Sequence, residues 1–93
     1  MVNIEMYSKN HCSYCDKAKF LVQQWQQRAP EQVTFHEYNV ESDPARFAEL
    51  KERAPNSRTF PQIFINNQSI GGCDDLYALD SRGELKRLLN LEN

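Results

Sequence analysis

Two cysteines near the start of the chain, Cys12 and Cys15, constrain its fold and chemistry more than any other feature. Before them, apolar and polar residues alternate over Val2–Tyr7, a pattern that predicts a short strand. After them, apolar residues recur at helical spacing from Tyr14 to Trp25, which predicts a helix with these residues on its buried face. The cysteines therefore stand at a strand-to-helix junction. Since residues i and i+3 of a first helical turn share one face, the pair is close enough to form a disulfide with little backbone movement.

The junction gives the two thiols different surroundings. We place Cys12 at or just before the first helical turn, where unpaired backbone N–H groups and the helix dipole favour a thiolate. Cys15 lies deeper and is expected to be shielded from solvent. A thiolate is both the attacking form and the better leaving group in thiol–disulfide exchange. The spacing therefore predicts a redox pair in which Cys12 is the nucleophile and Cys15 resolves the disulfide that forms at Cys12.

A zinc site and an inert packed pair are the other uses that such cysteines have. A structural zinc needs four ligands. The candidates here are Cys12, Cys15, Cys73 and either His11 or His36. Because the chain has no second Cys-x-x-Cys motif, we expect redox chemistry and no metal ligands.

The composition excludes several other classes of protein. The 93 residues, 40% of them hydrophobic, predict one domain over residues 1–93. Eleven basic and 13 acidic residues give a net charge of −2, so no general attraction to nucleic acid or anionic lipid is expected. The apolar runs are far shorter than the ~20 residues of a membrane-spanning helix. The N-terminal residues do not resemble a secretory signal, so we expect a reducing, cytoplasmic compartment.

The rest of the chain continues to alternate between strands and helices. The predicted elements are a strand over residues 33–40, a helix from Pro44, a strand over Gln62–Ile65, a turn at Asn66-Asn67, a return strand over Gln68–Ile70, a helix from Cys73 and a last helical stretch with Leu85, Leu88 and Leu89. Because a helix joins the first two strands, they should be parallel, whereas the last two strands form an antiparallel hairpin. The predicted fold class is α/β, with a small four-stranded mixed sheet flanked by helices.

Helix ends and faces give further predictions that the structure can test. Asp43 is placed to cap the second helix. Phe47 and Leu50 are expected to form the buried face of that helix. Ser81 and Glu84 have the spacing of a capping box for the last helical stretch.

Three motifs together resemble the glutaredoxin family, of the dithiol type. They are Cys12-Ser13-Tyr14-Cys15 after the first strand, Thr59-Phe60-Pro61 before the third strand, and Gly71-Gly72-Cys73-Asp74-Asp75-Leu76 at the start of the helix after the hairpin. They occur in the family's order and spacing, and the resemblance covers essentially the whole chain. Thioredoxins, by contrast, usually carry Trp where this chain has His11, and they lack the Gly-Gly-x-Asp-Asp element.

The chain departs from the family pattern at three places. Ser13 stands where the commonest family motif has Pro, and Phe60 stands where the commonest tripeptide has Val. The second helix of the family usually presents a polar or basic residue to the glycine carboxylate of glutathione. Phe47 or Ala48 falls near that position here, so that contact is not carried over.

The resemblance implies a thioredoxin-like fold and a set of glutathione-binding residues. They are Lys9, Tyr14, Thr59, Phe60, Pro61, Gly72, Cys73, Asp74 and Asp75. A cis peptide before Pro61 would place the Phe60 backbone beside the active cysteine, where an extended peptide can pair with it. The helix start after Gly72 suits the γ-glutamyl carboxylate, and the carboxylates of Asp74 and Asp75 can approach the γ-glutamyl amine.

Some residues of this set can also be interpreted as having an ordinary structural role. Lys9 can meet the glycine carboxylate and favour the Cys12 thiolate, or be a solvated loop lysine. Tyr14 can offer a ring face and a hydroxyl at the groove edge. Asp75 can be a helix cap rather than a ligand. Cys73 is expected to lend its backbone and not its thiol.

The expected function is that of an enzyme, a glutathione-dependent thiol–disulfide oxidoreductase, with roles in electron transport and cell redox homeostasis. Cys12 would carry glutathione as a mixed disulfide, and Cys15 would resolve disulfides of proteins such as ribonucleotide reductase. We expect a monomer. Two alternatives stay open. One is a homodimer that holds a [2Fe–2S] cluster through Cys12 of each subunit and two glutathiones, as some family members with Ser in place of the motif's Pro do. The other is a thioredoxin-like donor that works without glutathione.

Overall fold

A computed structural model describes residues 1–91 of the chain. The elements are β1 (Val2–Ser8), α1 (Ser13–Arg28), β2 (Val33–Asn39), α2 (Pro44–Arg53), β3 (Gln62–Ile65), β4 (Gln68–Gly71), α3 (Cys73–Ser81) and α4 (Glu84–Leu88). The strands form a sheet of order β2-β1-β3-β4, in which β1 and β2 are parallel and the other neighbours are antiparallel. This is the predicted mixed sheet of the thioredoxin-like fold. Within residues 1–91, no helix has both the length and the apolar character needed to cross a membrane.

The pairing of the strands brings the candidate motifs to one end of the sheet. Tyr7, near the end of β1, faces Gln62 at the start of β3. The loop that carries the cysteines follows β1, and the Thr59-Phe60-Pro61 segment precedes β3, so the two lie side by side. The hairpin at the other end turns at Asn66 and Asn67, whose φ angles of 50° and 69° are left-handed. Asparagine tolerates that conformation, which is why the sequence located this turn correctly.

Strand β1 is buried on both faces, whereas the sequence indicated one apolar face. Val2, Ile4 and Met6 belong to the larger core cluster, which they share with residues of α1, α3 and α4. Tyr7 is fully buried within a smaller cluster on the α2 side. Glu5 is only 9% exposed. The second face is therefore covered by α2, and it buries polar groups that need partners.

A network of charged and aromatic side chains satisfies those groups and holds α2 on the sheet. Arg53 donates from Nη2 to Glu5 Oε1 at 3.0 Å and from Nη1 to the Tyr7 hydroxyl at 2.8 Å. The Tyr7 hydroxyl in turn donates to Glu49. Burial, with the bond to Glu49, raises the pKa of Tyr7 to about 12. The same bond holds the pKa of Glu49 below its usual range. The sequence analysis did not find this network.

Two side chains predicted to be buried lie on the surface instead. Tyr14 is 58% exposed and Phe47 is 43% exposed. Leu50, predicted to be buried with Phe47, is 1% exposed. Helical spacing identifies a face of α2 but not how much of that face the sheet covers. The prediction that Phe47 is buried was therefore wrong, whereas an exposed Tyr14 agrees with its other expected place at the edge of a groove.

The helix ends also differ from the sequence-based expectation. Asp43 is the N-cap residue of α2, but its side chain makes no capping hydrogen bond. The predicted capping box is wrong, because Ser81 is the last residue of α3 and its hydroxyl donates to a carbonyl within that helix at 3.1 Å. Gly83, with a φ of 79°, is the N-cap of the separate helix α4. Glu84 pairs with Arg82 at 3.2 Å.

Candidate active site

Cys12 is the N-cap residue of α1, and its sulfur is the acceptor of the capping bond. Its backbone is extended, with φ −120° and ψ 99°. The Cys15 N–H donates to Cys12 Sγ with an N–S distance of 3.2 Å. The two residues are joined as a disulfide, with their Cα atoms 5.2 Å apart. Cys12 is half-buried and Cys15 is 2% exposed. The structure thus has the predicted arrangement of an accessible sulfur at the helix start and a shielded sulfur behind it.

The loop between β1 and α1 turns the chain so that Cys12 can cap the helix. His11 adopts a left-handed φ of 53°, a conformation that histidine tolerates better than most residues. The Asn39 amide, at the end of β2, donates to Asn10 Oδ1 at 2.8 Å and ties the loop to the sheet. The position of the active sulfur therefore depends on the sheet as well as on the helix.

The segment before β3 forms a second wall of the site. The Phe60–Pro61 peptide is cis, as the resemblance implied. The Gln62 amide donates to the Thr59 carbonyl at 2.9 Å, which closes the segment into a tight loop. A Cβ atom on Gly72 would lie only 3.3 Å from the Pro61 carbonyl oxygen. Glycine at this position lets the start of α3 approach the Pro61 loop closely.

The turn into α3 is organised by Gly71 and Asp75. Gly71 has a φ of 109°, which only glycine adopts without strain. Asp75 accepts the Gly72 N–H at Oδ2, at 2.9 Å, and so caps the helix. A side chain at Gly71 would collide with the Asp75 carboxylate. Both aspartates are exposed, but within residues 1–91 the Asp74 carboxylate makes no hydrogen bond. The two neighbouring aspartates therefore have different surroundings.

Cys73 begins α3 as a buried free thiol. Burial is the largest effect on its pKa, which is raised, and the negative charge of Asp74 acts in the same direction. Lys17 acts in the opposite direction but is outweighed. The Cys73 thiol is thus kept protonated near neutral pH, which fits the expectation that this residue offers its backbone.

A groove of about 380 Å³ runs between the Pro61 loop and the start of α3. We call it the α3 groove. Seven of the nine predicted binding residues line it: Tyr14, Thr59, Phe60, Gly72, Cys73, Asp74 and Asp75. Gln62 and Gly71 also line it. Neither was in the predicted binding set, although Gly71 begins the third motif and Gln62 follows the second. Pro61 does not line the groove, but its carbonyl oxygen lies beside Gly72.

Lys9 lies in a second groove, of about 510 Å³. We call it the polar groove. Both Cys12 and Cys15 line it, together with Lys19 and Glu37. Glu37 accepts from the Lys19 ammonium at 3.0 Å and from the buried hydroxyl of Ser8 at 3.0 Å. The sequence analysis did not assign Lys19 or Glu37 to the site, because they come from different elements and form no motif.

The comparisons with known proteins agree with this geometry. The family model described as Glutaredoxin matches residues 4–70. The chain belongs to the glutaredoxin family. Glutaredoxin 3 of Escherichia coli K12 is 45% identical over 89 residues, which cover 96% of this chain and 99% of that relative.

Two solved glutaredoxin structures extend the comparison to three dimensions. The solution structure of glutaredoxin from Brucella melitensis is 40% identical, with a TM-score of 0.73 over 98% of this chain and 91% of that one. The crystal structure of a buckwheat glutaredoxin–glutathione complex is 27% identical, with a TM-score of 0.75 over 94% of this chain and 76% of that one. Family membership and the Cys12–Cys15 pair make this glutaredoxin a thiol–disulfide oxidoreductase.

Proposed function

We propose that this glutaredoxin is a glutathione-dependent enzyme that reduces glutathionylated substrates and protein disulfides, with Cys12 as its nucleophile. The observation that carries the proposal is the position of the Cys12 sulfur at the N-cap of α1, where it accepts the Cys15 N–H at 3.2 Å. A thiolate at this position gains a hydrogen bond and the favourable end of the helix dipole. The buckwheat relative, whose structure is described as a glutathione complex, supports glutathione as the ligand.

Glutathione has two carboxylates, one amine and a central thiol, and the chain offers a partner for each. The γ-glutamyl carboxylate would bind the free N–H groups at the start of α3, at Cys73 and Asp74. The exposed Asp74 carboxylate would meet the amine. The cysteinyl backbone would pair with the Phe60 N–H and carbonyl groups, as an added strand does. Lys9 would approach the glycine carboxylate from the rim of the polar groove.

The remaining residues of the set would shape the groove. Thr59 and Pro61 hold the Phe60 backbone in place through the loop that the Gln62 amide closes. Tyr14, which is exposed, would form the outer edge with its ring and hydroxyl. Asp75 would act indirectly, since its carboxylate is engaged by the Gly72 N–H.

Deglutathionylation needs only the Cys12 sulfur. The Cys12 thiolate attacks the glutathione sulfur of the substrate, a new disulfide forms with glutathione, and the substrate thiolate leaves and takes a proton from water. The thiolate of a second glutathione then attacks the bound glutathione sulfur. Glutathione disulfide leaves, and the Cys12 thiolate returns to its place as the acceptor of the Cys15 N–H. The hydrogen bond that stabilises the nucleophile also stabilises the leaving group.

Reduction of a protein disulfide uses both cysteines. Cys12 first forms a mixed disulfide with the protein, and Cys15 attacks Cys12 sulfur after losing its proton. The protein thiolate leaves, and the enzyme is left with the Cys12–Cys15 disulfide, whose Cα atoms are 5.2 Å apart in the structure. Two glutathiones then restore both thiols. We propose ribonucleotide reductase as a substrate of this kind. We also propose that the protein is a monomer and that it acts in the cytoplasm, in electron transport and redox homeostasis.

A coupled assay tests the glutathione dependence. The purified protein is mixed with glutathione, glutathione reductase, NADPH and a small glutathione mixed disulfide, and NADPH oxidation is followed. We expect turnover that saturates with the mixed disulfide and stops when glutathione is left out. Turnover with a flavoenzyme disulfide reductase and no glutathione would instead identify the thioredoxin-like donor. Absorbance above 400 nm after anaerobic purification, in a dimer, would identify the cluster-binding homodimer, in which each chain gives one ligand, Cys12.

A further inference from the structure

The ammonium group of Lys9, the first residue after β1, lies over an aromatic ring. Its Nζ lies over the Phe60 ring, 5.8 Å from the ring centroid. Among residues 1–91, its ammonium group has no ion pair and no hydrogen bond. Lys19, on the opposite wall of the polar groove, has Glu37 at 3.0 Å instead. The Phe60 ring is therefore the one described group that fixes the direction of the flexible Lys9 side chain.

The Phe60 ring is itself held in place by the core. It packs against the smaller core cluster, which consists of Tyr7, Val40, Leu50 and Phe64. Its backbone belongs to the tight loop closed by the Gln62 amide. A ring anchored in this way can hold a mobile cation over its face. The Val that is commonest at this place in the family has no ring face to offer.

We propose that Phe60 is a positioning residue whose ring holds the Lys9 ammonium beside Cys12, where its positive charge favours the Cys12 thiolate. Lys9 and Cys12 line the same groove, and a nearby cation lowers the pKa of a thiol. The inference rests on the proposed role of Cys12 as the ionised nucleophile. It assigns to the Phe60 side chain a function beyond the backbone pairing proposed above.

Other ionisable groups around Cys12 have to be separated from this effect. The polar groove adds His11, Asp16, Lys19 and Glu37, and the α3 groove adds Tyr14, Cys73, Asp74 and Asp75. None of these side chains has a described contact with the Phe60 ring. A change at Phe60 that acts through charge must therefore act through Lys9, and a double-substitution cycle isolates that contribution.

The test measures thiolate absorbance at 240 nm against pH in a Cys15→Ser background, where the internal disulfide cannot form. Phe60→Leu removes the ring and keeps the bulk, and we expect it to raise the pKa of Cys12 by about 0.3–0.7 unit. Phe60→Tyr, the matched control, keeps the ring and should leave the pKa within about 0.2 unit of the parent. Lys9→Gln should raise it at least as much as Phe60→Leu. Adding Phe60→Leu to Lys9→Gln should add less than about 0.2 unit.

An unchanged pKa in Phe60→Leu, or shifts that add fully in the double variant, would overturn the inference. If Phe60→Leu does not fold, proton NMR of the unaltered protein tests the inference instead. The ε-methylene protons of Lys9 should resonate upfield of those of Lys19, which has no ring beside it. Equal shifts would also overturn the inference. Neither measurement contains glutathione, so a failure here is distinguishable from a failure of the coupled assay.

Discussion

The α3 groove and the polar groove are built from different parts of the chain. The α3 groove is lined by the segment before β3 and the turn into α3, together with Tyr14. The polar groove is lined by the loop that carries Cys12 and by residues of β1, α1 and β2, among them the Lys19–Glu37 pair. A loop whose backbone requires glycine or proline at fixed spacing leaves a motif in the sequence. A pair of charged side chains on separate elements, such as Lys19 and Glu37, leaves no such pattern.

The largest effects are expected at the cysteines, both of which line the polar groove, because thiol–disulfide exchange takes place at their sulfur atoms. Cys12→Ser should abolish both deglutathionylation and protein disulfide reduction, because no nucleophile remains. Cys15→Ser should retain deglutathionylation but lose at least about 100-fold in protein disulfide reduction, because a dissolved thiol cannot match the effective concentration of Cys15. Steady-state assays with a small mixed disulfide and with a disulfide-bonded protein measure the two losses separately. Parallel losses in Cys15→Ser would contradict the one-thiol mechanism.

The backbone of the α3 groove should be intolerant of a methyl group at Gly71. Gly71→Ala forces a non-glycine residue to a φ of 109° and against the Asp75 carboxylate, at a cost of about 1–3 kcal/mol. We expect a lower Tm and a higher KM for glutathionylated substrate. Gly83→Ala is the matched control, because its φ of 79° is also left-handed but a Cβ there meets no atom within 4 Å. Gly83→Ala should lower Tm and leave KM unchanged.

Tyr7 belongs to the core cluster against which Phe60 of the α3 groove packs. Its hydrogen-bond network should make stability depend on alkaline pH. The pKa of Tyr7 is raised from 10.0 to about 12 in the folded protein. The neutral phenol is thus favoured by folding, and its stabilisation is complete below about pH 10 and lost as pH rises towards 12. The loss is at most roughly 3 kcal/mol. Urea unfolding of the unaltered protein should show this decline, and Tyr7→Phe should be less stable near neutral pH with a shallower decline. Equal slopes would mean that another group causes the decline.

Substitutions of the two adjacent aspartates of the α3 groove should distinguish substrate binding from helix capping. Asp75→Ala removes the acceptor of the Gly72 N–H, and we expect it to lower the free energy of unfolding by about 1 kcal/mol. Asp74→Ala should keep that stability and lower kcat/KM for glutathionylated substrate more than for a small disulfide without a γ-glutamyl group. Thermal melts and kinetics on both variants give the comparison. Equal kinetic losses on both substrates would leave Asp74 without a role in recognition.

The smallest effect is expected in the polar groove. Glu37→Gln removes a partly exposed ion pair with Lys19 and should change the free energy of unfolding by less than about 1 kcal/mol. It should leave the KM for glutathionylated substrate unchanged, because neither Glu37 nor Lys19 has a proposed contact with glutathione. Urea unfolding and the coupled assay check both expectations. A large rise in KM would show that the Lys19–Glu37 pair takes part in substrate binding.

The sequence by itself determined the elements and the redox pair. The strand-to-helix junction, the hairpin at Asn66 and Asn67 and the N-cap position of Cys12 each follow from local rules of periodicity, turn conformation and helix capping. The glycine and proline motifs indicated the α3 groove through their resemblance to those of the glutaredoxin family. Local rules act within a few residues, so they can be read along the chain.

Tertiary structure alone decided which faces are covered and which charges meet. Phe47 is exposed, whereas Glu49 and Arg53 of the same helix turn towards buried partners on β1, 42 and 48 residues away in the chain. Lys9 points over Phe60 because β1 ends beside the start of β3. Such contacts join residues far apart in sequence. Their energies depend on burial and distance, which exist only after the sheet has formed.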